Sequence, residues 1–111
     1  MRKLTPLLLT VGVLGGSIAI AQAGPTVNVG DNYFVKRSGV PTVTTTAGQR
    51  ATFRFVGRTR HTVVVSSGPS RFSSPARSSG TYRSPVLRRG TYRIFCSIHG
   101  SSDQRMTLVV R

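Results

Sequence analysis

The chain has 111 residues, one cysteine, 16 basic side chains and two acidic ones, which gives a formal net charge of +14. A chain of this length forms one domain. A single cysteine excludes an internal disulfide, and the charge favours anionic partners. The basic residues form no compact tract and no known nucleic-acid motif, so we expect no nucleic-acid binding.

The first 23 residues have the pattern of a secretory signal peptide. A basic start at Arg2 and Lys3 is followed by an apolar run and by Ala21-Gln22-Ala23, an A-x-A cleavage site. We therefore predict a signal peptide over residues 1–23 and a mature domain over 24–111, located outside the cytoplasm: secreted or periplasmic. An uncleaved membrane anchor is the alternative. The mature domain would carry a net charge of about +12, with Asp31 and Asp103 as its acids.

The mature sequence predicts an all-β domain. It is rich in Val, Thr, Phe and Tyr, it is interrupted by Gly, Pro and Ser, and no stretch has sustained helical periodicity. The segment 50–56 alternates most regularly, with Ala51, Phe53 and Phe55 on one face. Several short strands in so small an exported chain indicate a β-sandwich of about seven or eight strands. The predicted strands are 26–29, 33–36, 42–46, 50–56, 61–65, 81–86, 91–95 and 106–110, and residues 66–79 form a loop.

Three side chains could form a metal site. Cys96 and His99 have two residues between them and follow a predicted strand, so both can point to one place, while His61 would come from the start of another strand. A His₂Cys set with a weak axial donor is typical of a blue copper site. A closed structural zinc site prefers four strong ligands. The alternative is that Cys96 is a small buried hydrophobe and that both histidines are incidental.

Five pieces of the mature chain, in this order and spacing, resemble the cupredoxin family and plastocyanin-like proteins in particular. The resemblance implies a Greek-key β-sandwich with one type 1 copper at one end. It also implies single-electron transfer by Cu(II)/Cu(I) cycling, without enzymatic activity. The matching pieces are Tyr33-Phe34, Ala47-Gly48-Gln49, His61-Thr62-Val63, Gly90-Thr91-Tyr92 and Cys96-x-x-His99.

The axial position has two candidates, Gln104 and Met106. The plastocyanin-like pattern often has four residues between the ligand histidine and the axial residue, and this count from His99 ends at Gln104. Strand parity gives a second argument, because Met106 shares a face with Leu108 and Val110 and is then a core residue. The stellacyanin branch, which this segment also resembles, has an axial glutamine. We favour Gln104 as the axial ligand and keep Met106 as the alternative.

We expect a monomer that exchanges electrons with an acidic redox protein, steered by arginines such as Arg58, Arg60, Arg88 and Arg89. Contact with an anionic membrane or cell-wall surface is also compatible with the charge. Two other functions remain open from the sequence. One is an extracytoplasmic copper chaperone or buffer, and the other is a metal-free cationic sandwich that binds anionic envelope polymers.

Overall fold

The computed structural model describes residues 24–36, 39–100 and 103–111, which form two four-stranded β-sheets. The predicted signal peptide lies outside the described residues. No helix within these ranges is long and apolar enough to cross a membrane. The strands are β1 (Thr26–Gly30), β2 (Tyr33–Phe34), β3 (Thr42–Thr45), β4 (Thr52–Phe55), β5 (Val64–Ser67), β6 (Thr81–Arg83), β7 (Gly90–Phe95) and β8 (Arg105–Val110).

The predicted all-β sandwich is confirmed. Sheet I has the order β2-β1-β4-β6 and sheet II the order β3-β8-β7-β5. Beyond β2, the chain changes sheet at each connection until β7 and β8 pair directly. Parallel pairs (β1 with β4, and β3 with β8) accompany the antiparallel ones, because strands that return from the other sheet need not reverse direction.

The core lies between the sheets and follows the alternation in the sequence. In β4, Phe53 and Phe55 are buried while Arg54 is exposed. In β8, Met106, Leu108 and Val110 are buried, which confirms the predicted parity of that strand. Burial of these apolar side chains against the facing sheet supplies the main stabilising free energy of the fold.

The strand predicted over 61–65 is displaced by three residues and begins at Val64. His61 pairs instead with Arg77 in the long loop, through two backbone hydrogen bonds of 3.0 Å. The loop backbone thus satisfies the polar groups of His61, and no sheet neighbour is required there.

Two local structures bring the functional residues to one end of the sandwich. The β7–β8 pairing ends at Phe95 and Arg105, and beyond it the Cys96 N–H donates to the carbonyl of Gln104 over 3.0 Å. On sheet I, a two-residue turn of Asp31 and Asn32 closes the β1–β2 hairpin. Asn32 has a φ of 65°, a left-handed conformation that asparagine tolerates better than most residues.

Leu108→Ala tests the core assignment. Leu108 is completely buried, so its truncation is expected to lower the free energy of unfolding by about 2–5 kcal/mol. Thr107→Ala, on the opposite face of β8, is the matched control and should cost well under half as much. Urea unfolding followed by circular dichroism measures both, and equal costs would contradict the assignment.

Candidate metal centre

His61, Cys96 and His99 meet at one end of the sandwich, although His61 comes from a different segment of the chain than Cys96 and His99. His61 lies in the connection between β4 and β5, Cys96 follows the last residue of β7, and His99 lies three positions further on in the same β7–β8 loop. Their ligand atoms all lie within 4.8 Å of one another. The Cys96 Sγ is 3.9 Å from Nδ1 of His61 and 3.5 Å from Nδ1 of His99, so both rings present the same nitrogen to the sulfur.

The three side chains differ in burial. His61 and Cys96 are fully buried, whereas His99 is half-buried. Water is therefore excluded from the sulfur and from the His61 ring. His99 is the member of the cluster with an edge near solvent.

The Cys96 sulfur accepts hydrogen bonds from Thr62, next to His61 in the sequence. The Thr62 N–H donates to Sγ over 3.4 Å, and its hydroxyl lies 3.8 Å from the same atom. The Ser97 N–H in turn donates to the Thr62 hydroxyl oxygen over 2.8 Å. These bonds tie the segment that carries His61 to the segment that carries Cys96, and they place donors on the sulfur that the sequence could not identify.

Gln104 is fully buried and directs its amide oxygen into the cluster. Its Nε2 donates to the carbonyl of Gly30 over 2.7 Å and to the carbonyl of Tyr33 over 2.9 Å. Because only the amide nitrogen can donate to two carbonyls, the oxygen must face the other way. Its Oε1 lies 3.0 Å from Nδ1 of His61, the nitrogen that also faces the sulfur.

Met106 lies farther from the cluster along the strands. It pairs with Ile94, two residues before Cys96, which corresponds to about 7 Å of strand. Its side chain is buried in the apolar core with Leu108 and Val110. Of the two axial candidates, Gln104 has an amide oxygen 3.0 Å from a ligand nitrogen, Nδ1 of His61.

Asp31 contacts a residue of the site, although no sequence pattern predicted this contact. Its Oδ1 lies 2.8 Å from Nε2 of His61, on the side of the ring away from Cys96. The available signal was its rarity, since it is one of only two acids in a strongly basic chain. Because Asp31 and His61 are 30 positions apart, no local pattern predicts their contact.

The neighbouring groups shift the pKa values of Cys96, His61 and Asp31. Burial raises the pKa of the Cys96 thiol, but hydrogen bonds from the Thr62 N–H, from His99 and from His61 lower it by more, so that it falls from 9.0 to about 6. Burial lowers the pKa of His61, yet Asp31 and Cys96 raise it above its usual value. Hydrogen bonds from Arg58, His61 and Thr59 hold the pKa of Asp31 well below its usual range.

This chemistry fits a soft metal with affinity for both nitrogen and sulfur. A thiolate is the form of cysteine that binds metal, and the lowered pKa of Cys96 favours it. Two imidazole nitrogens, one thiolate and a nearby amide oxygen form the donor set typical of blue copper sites, in which the axial donor is weak.

The metal-free protein should keep Cys96 as a thiolate down to about pH 6, because its pKa is lowered. The ultraviolet absorbance of the thiolate, taken as the difference from Cys96→Ser, measures this titration. His99→Ala removes one hydrogen bond to the sulfur and should move the midpoint upward. A midpoint near 9.0, the ordinary value, would contradict the described surroundings of the sulfur.

No protein-family model and no curated protein sequence matches the chain. Solved structures do match. A methionine-to-glutamine variant of amicyanin with Cu(I) is 20% identical, with a TM-score of 0.64 over 85% of this chain and 89% of that one. Auracyanin A, a blue copper protein from Chloroflexus aurantiacus, is 22% identical, with a TM-score of 0.56 over 79% of this chain and 100% of that one.

A copper-containing nitrite reductase from Thermus scotoductus is also similar. It is 24% identical, with a TM-score of 0.61 over 78% of this chain but only 22% of the enzyme. The similarity to the enzyme thus extends over a small part of it. From the arrangement of its two sheets and from these structural neighbours, the chain has the cupredoxin fold, and its His61, Cys96 and His99 cluster fits a blue copper site.

Proposed function

We propose that this chain is an exported type 1 copper protein that carries single electrons. The observation that carries the proposal is the convergence of both histidine Nδ1 atoms on the Cys96 sulfur, at 3.9 and 3.5 Å. The amicyanin and auracyanin structures support it, since the first is a Cu(I) form and the second is a blue copper protein.

His61, Cys96 and His99 would hold the copper, and Gln104 would provide the weak axial oxygen. The copper would supply a couple between Cu(II) and Cu(I). The protein contributes donors that already converge and are already anchored: Gln104 by two backbone carbonyls, and Cys96 by Thr62. A site fixed in advance has little to rearrange when the charge of the metal changes, which favours fast electron transfer.

His99 would be the point at which electrons enter and leave. It is half-buried, and its neighbour Ile98 is 51% exposed, so a redox partner can approach this edge closely. His61 is fully buried and is held from behind by Asp31, which leaves it no comparable exposed edge.

A carrier is favoured over an enzyme and over a copper chaperone. Four side chains already converge on the proposed site, which leaves little room for a substrate to bind the metal. A chaperone must release its copper readily, whereas Cys96, His61 and Gln104 are completely buried and held by hydrogen bonds to one another or to the backbone. A metal-free adhesive domain would have no need for His61, Cys96 and Gln104 to be buried side by side.

The location and the partner are proposed from charge and from the signal sequence. Export is proposed from residues 1–23, and the partner of the monomeric protein would be an acidic redox protein.

Arg58 and Arg60 are exposed in the segment that leads to His61, at the end of the sandwich that holds the site. Arg88 and Arg89 precede β7 and therefore lie one strand length away, at the other end. Only the first pair would steer a partner toward the site, and the second is available to anionic surfaces.

Addition of Cu(II) to residues 24–111 should produce an intense blue absorbance from thiolate-to-copper charge transfer. Cys96→Ser removes the only thiol in the chain and should abolish the colour. Optical and electron paramagnetic resonance spectra measure this result. A colourless wild-type protein, or a blue Cys96→Ser variant, would contradict the proposed site.

Gln104→Met should raise the reduction potential, because a thioether is a softer donor than an amide oxygen and favours Cu(I). We expect a rise of at least about 59 mV, a tenfold change in the preference between the two oxidation states. Met106→Leu is the matched control and should leave the potential almost unchanged, since Met106 packs in the core. A large shift in Met106→Leu with none in Gln104→Met would assign the axial role to Met106.

A further inference from the structure

The Asp31 carboxylate lies directly behind His61, in the turn between β1 and β2. Its Oδ1 is 2.8 Å from Nε2 of His61, while Nδ1 of the same ring faces the Cys96 sulfur at 3.9 Å. The imidazole is therefore held between a carboxylate on one side and the proposed copper position on the other. A carboxylate in this position fixes the tautomer and the orientation of a ligand histidine.

Four further contacts fix the carboxylate itself. The Arg58 N–H donates to both carboxylate oxygens, over 3.1 and 3.0 Å. The Thr59 N–H and the Thr59 hydroxyl donate to Oδ1 over 3.2 and 2.8 Å. Arg58 and Thr59 lie in the loop that precedes His61. Asp31 therefore binds both the His61 ring and the backbone of the loop that positions this ring.

The same hairpin turn also positions Gln104. The residues on either side of the turn, Gly30 and Tyr33, provide the two carbonyls that bind the Gln104 amide nitrogen. One short turn on sheet I thus sets the orientation of two proposed ligands, one through a side chain and one through backbone carbonyls.

We infer that Asp31 is a positioning residue for the copper site, which holds the His61 ring with Nδ1 toward the metal and places a negative charge behind this ligand. The inference rests on the proposed copper function. The charge favours Cu(II) over Cu(I), because it stabilises the more positive ion more strongly. In a chain with 16 basic residues, this acid lies where it can offset that positive charge at the metal itself.

Asp31→Asn tests the charge, because asparagine keeps an oxygen that can accept from His61 Nε2 and from the loop. In the copper-loaded protein we expect the blue band to persist and the preference for Cu(II) to fall about tenfold, a rise in potential of about 59 mV. Asp103→Asn removes the same charge from an exposed loop position and should give less than half of this shift. Voltammetry of the three proteins measures the difference.

Asp31→Ala tests the positioning. Alanine leaves Nε2 of His61 without its carboxylate, so the blue band should shift or weaken and the affinity for Cu(II) should fall by more than in Asp31→Asn. Thr59→Val removes the hydroxyl contacts to Asp31 Oδ1 (2.8 Å) and to His61 Nε2 (3.1 Å) but keeps the carboxylate and its contact to His61, so its potential should stay closer to that of the wild type than that of Asp31→Asn.

The outcomes separate this inference from the proposed function. A wild-type protein that does not turn blue overturns both. A blue wild type with the same potential as Asp31→Asn overturns the charge effect, and a band unchanged in Asp31→Ala overturns the positioning. If the Asp31 variants do not fold, a crystal structure of the copper-loaded wild type decides: Asp31 must lie within hydrogen-bond distance of His61 Nε2, and a carboxylate turned away from the ring overturns the inference.

Discussion

The antiparallel pairing of β7 with β8 is the constraint on which the site depends. Six residue pairs, from Gly90 with Val110 to Phe95 with Arg105, fix the register. Because side chains alternate between the faces of a sheet, a slip of β8 by one residue would turn Met106 and Leu108 away from the core. The apolar core therefore holds the register, and the register places Cys96 opposite Gln104 at the end of the sandwich.

The buried polar groups at this end are stable because they form hydrogen bonds with one another and with the backbone. Gln104 is completely buried, and its amide makes two bonds to carbonyls and one contact with His61. A buried polar group without partners would cost about 1–3 kcal/mol. The partners come from both sheets, so assembly of the cluster requires that the two sheets are already packed against each other.

Charge is distributed unevenly with respect to this cluster. Most basic side chains of the described residues lie at the surface, whereas one of the two acids that follow the predicted signal peptide contacts a proposed ligand. The positive surface favours encounters with anionic partners at long range. Asp31 acts at short range, because only the imidazole ring of His61 separates it from the proposed metal position. The same molecule can thus present a cationic exterior while its proposed metal position has a carboxylate nearby.

The all-β fold and the approximate positions of the eight strands could be predicted from the sequence, because strand periodicity and turn residues are local signals. The joint role of Cys96 and His99 could be predicted as well, since they are three positions apart. His61 could be included only because cysteine and histidine are so rare in this chain.

The start of β5, the anchoring of Gln104 and the contact of Asp31 with His61 depend on the tertiary structure. Each depends on groups that are far apart in the chain and become neighbours only when the sheets pack: His61 with Arg77, Gln104 with Gly30 and Tyr33, and Asp31 with His61. Local patterns carry no information about such contacts, because their energy appears only after distant segments have been brought together.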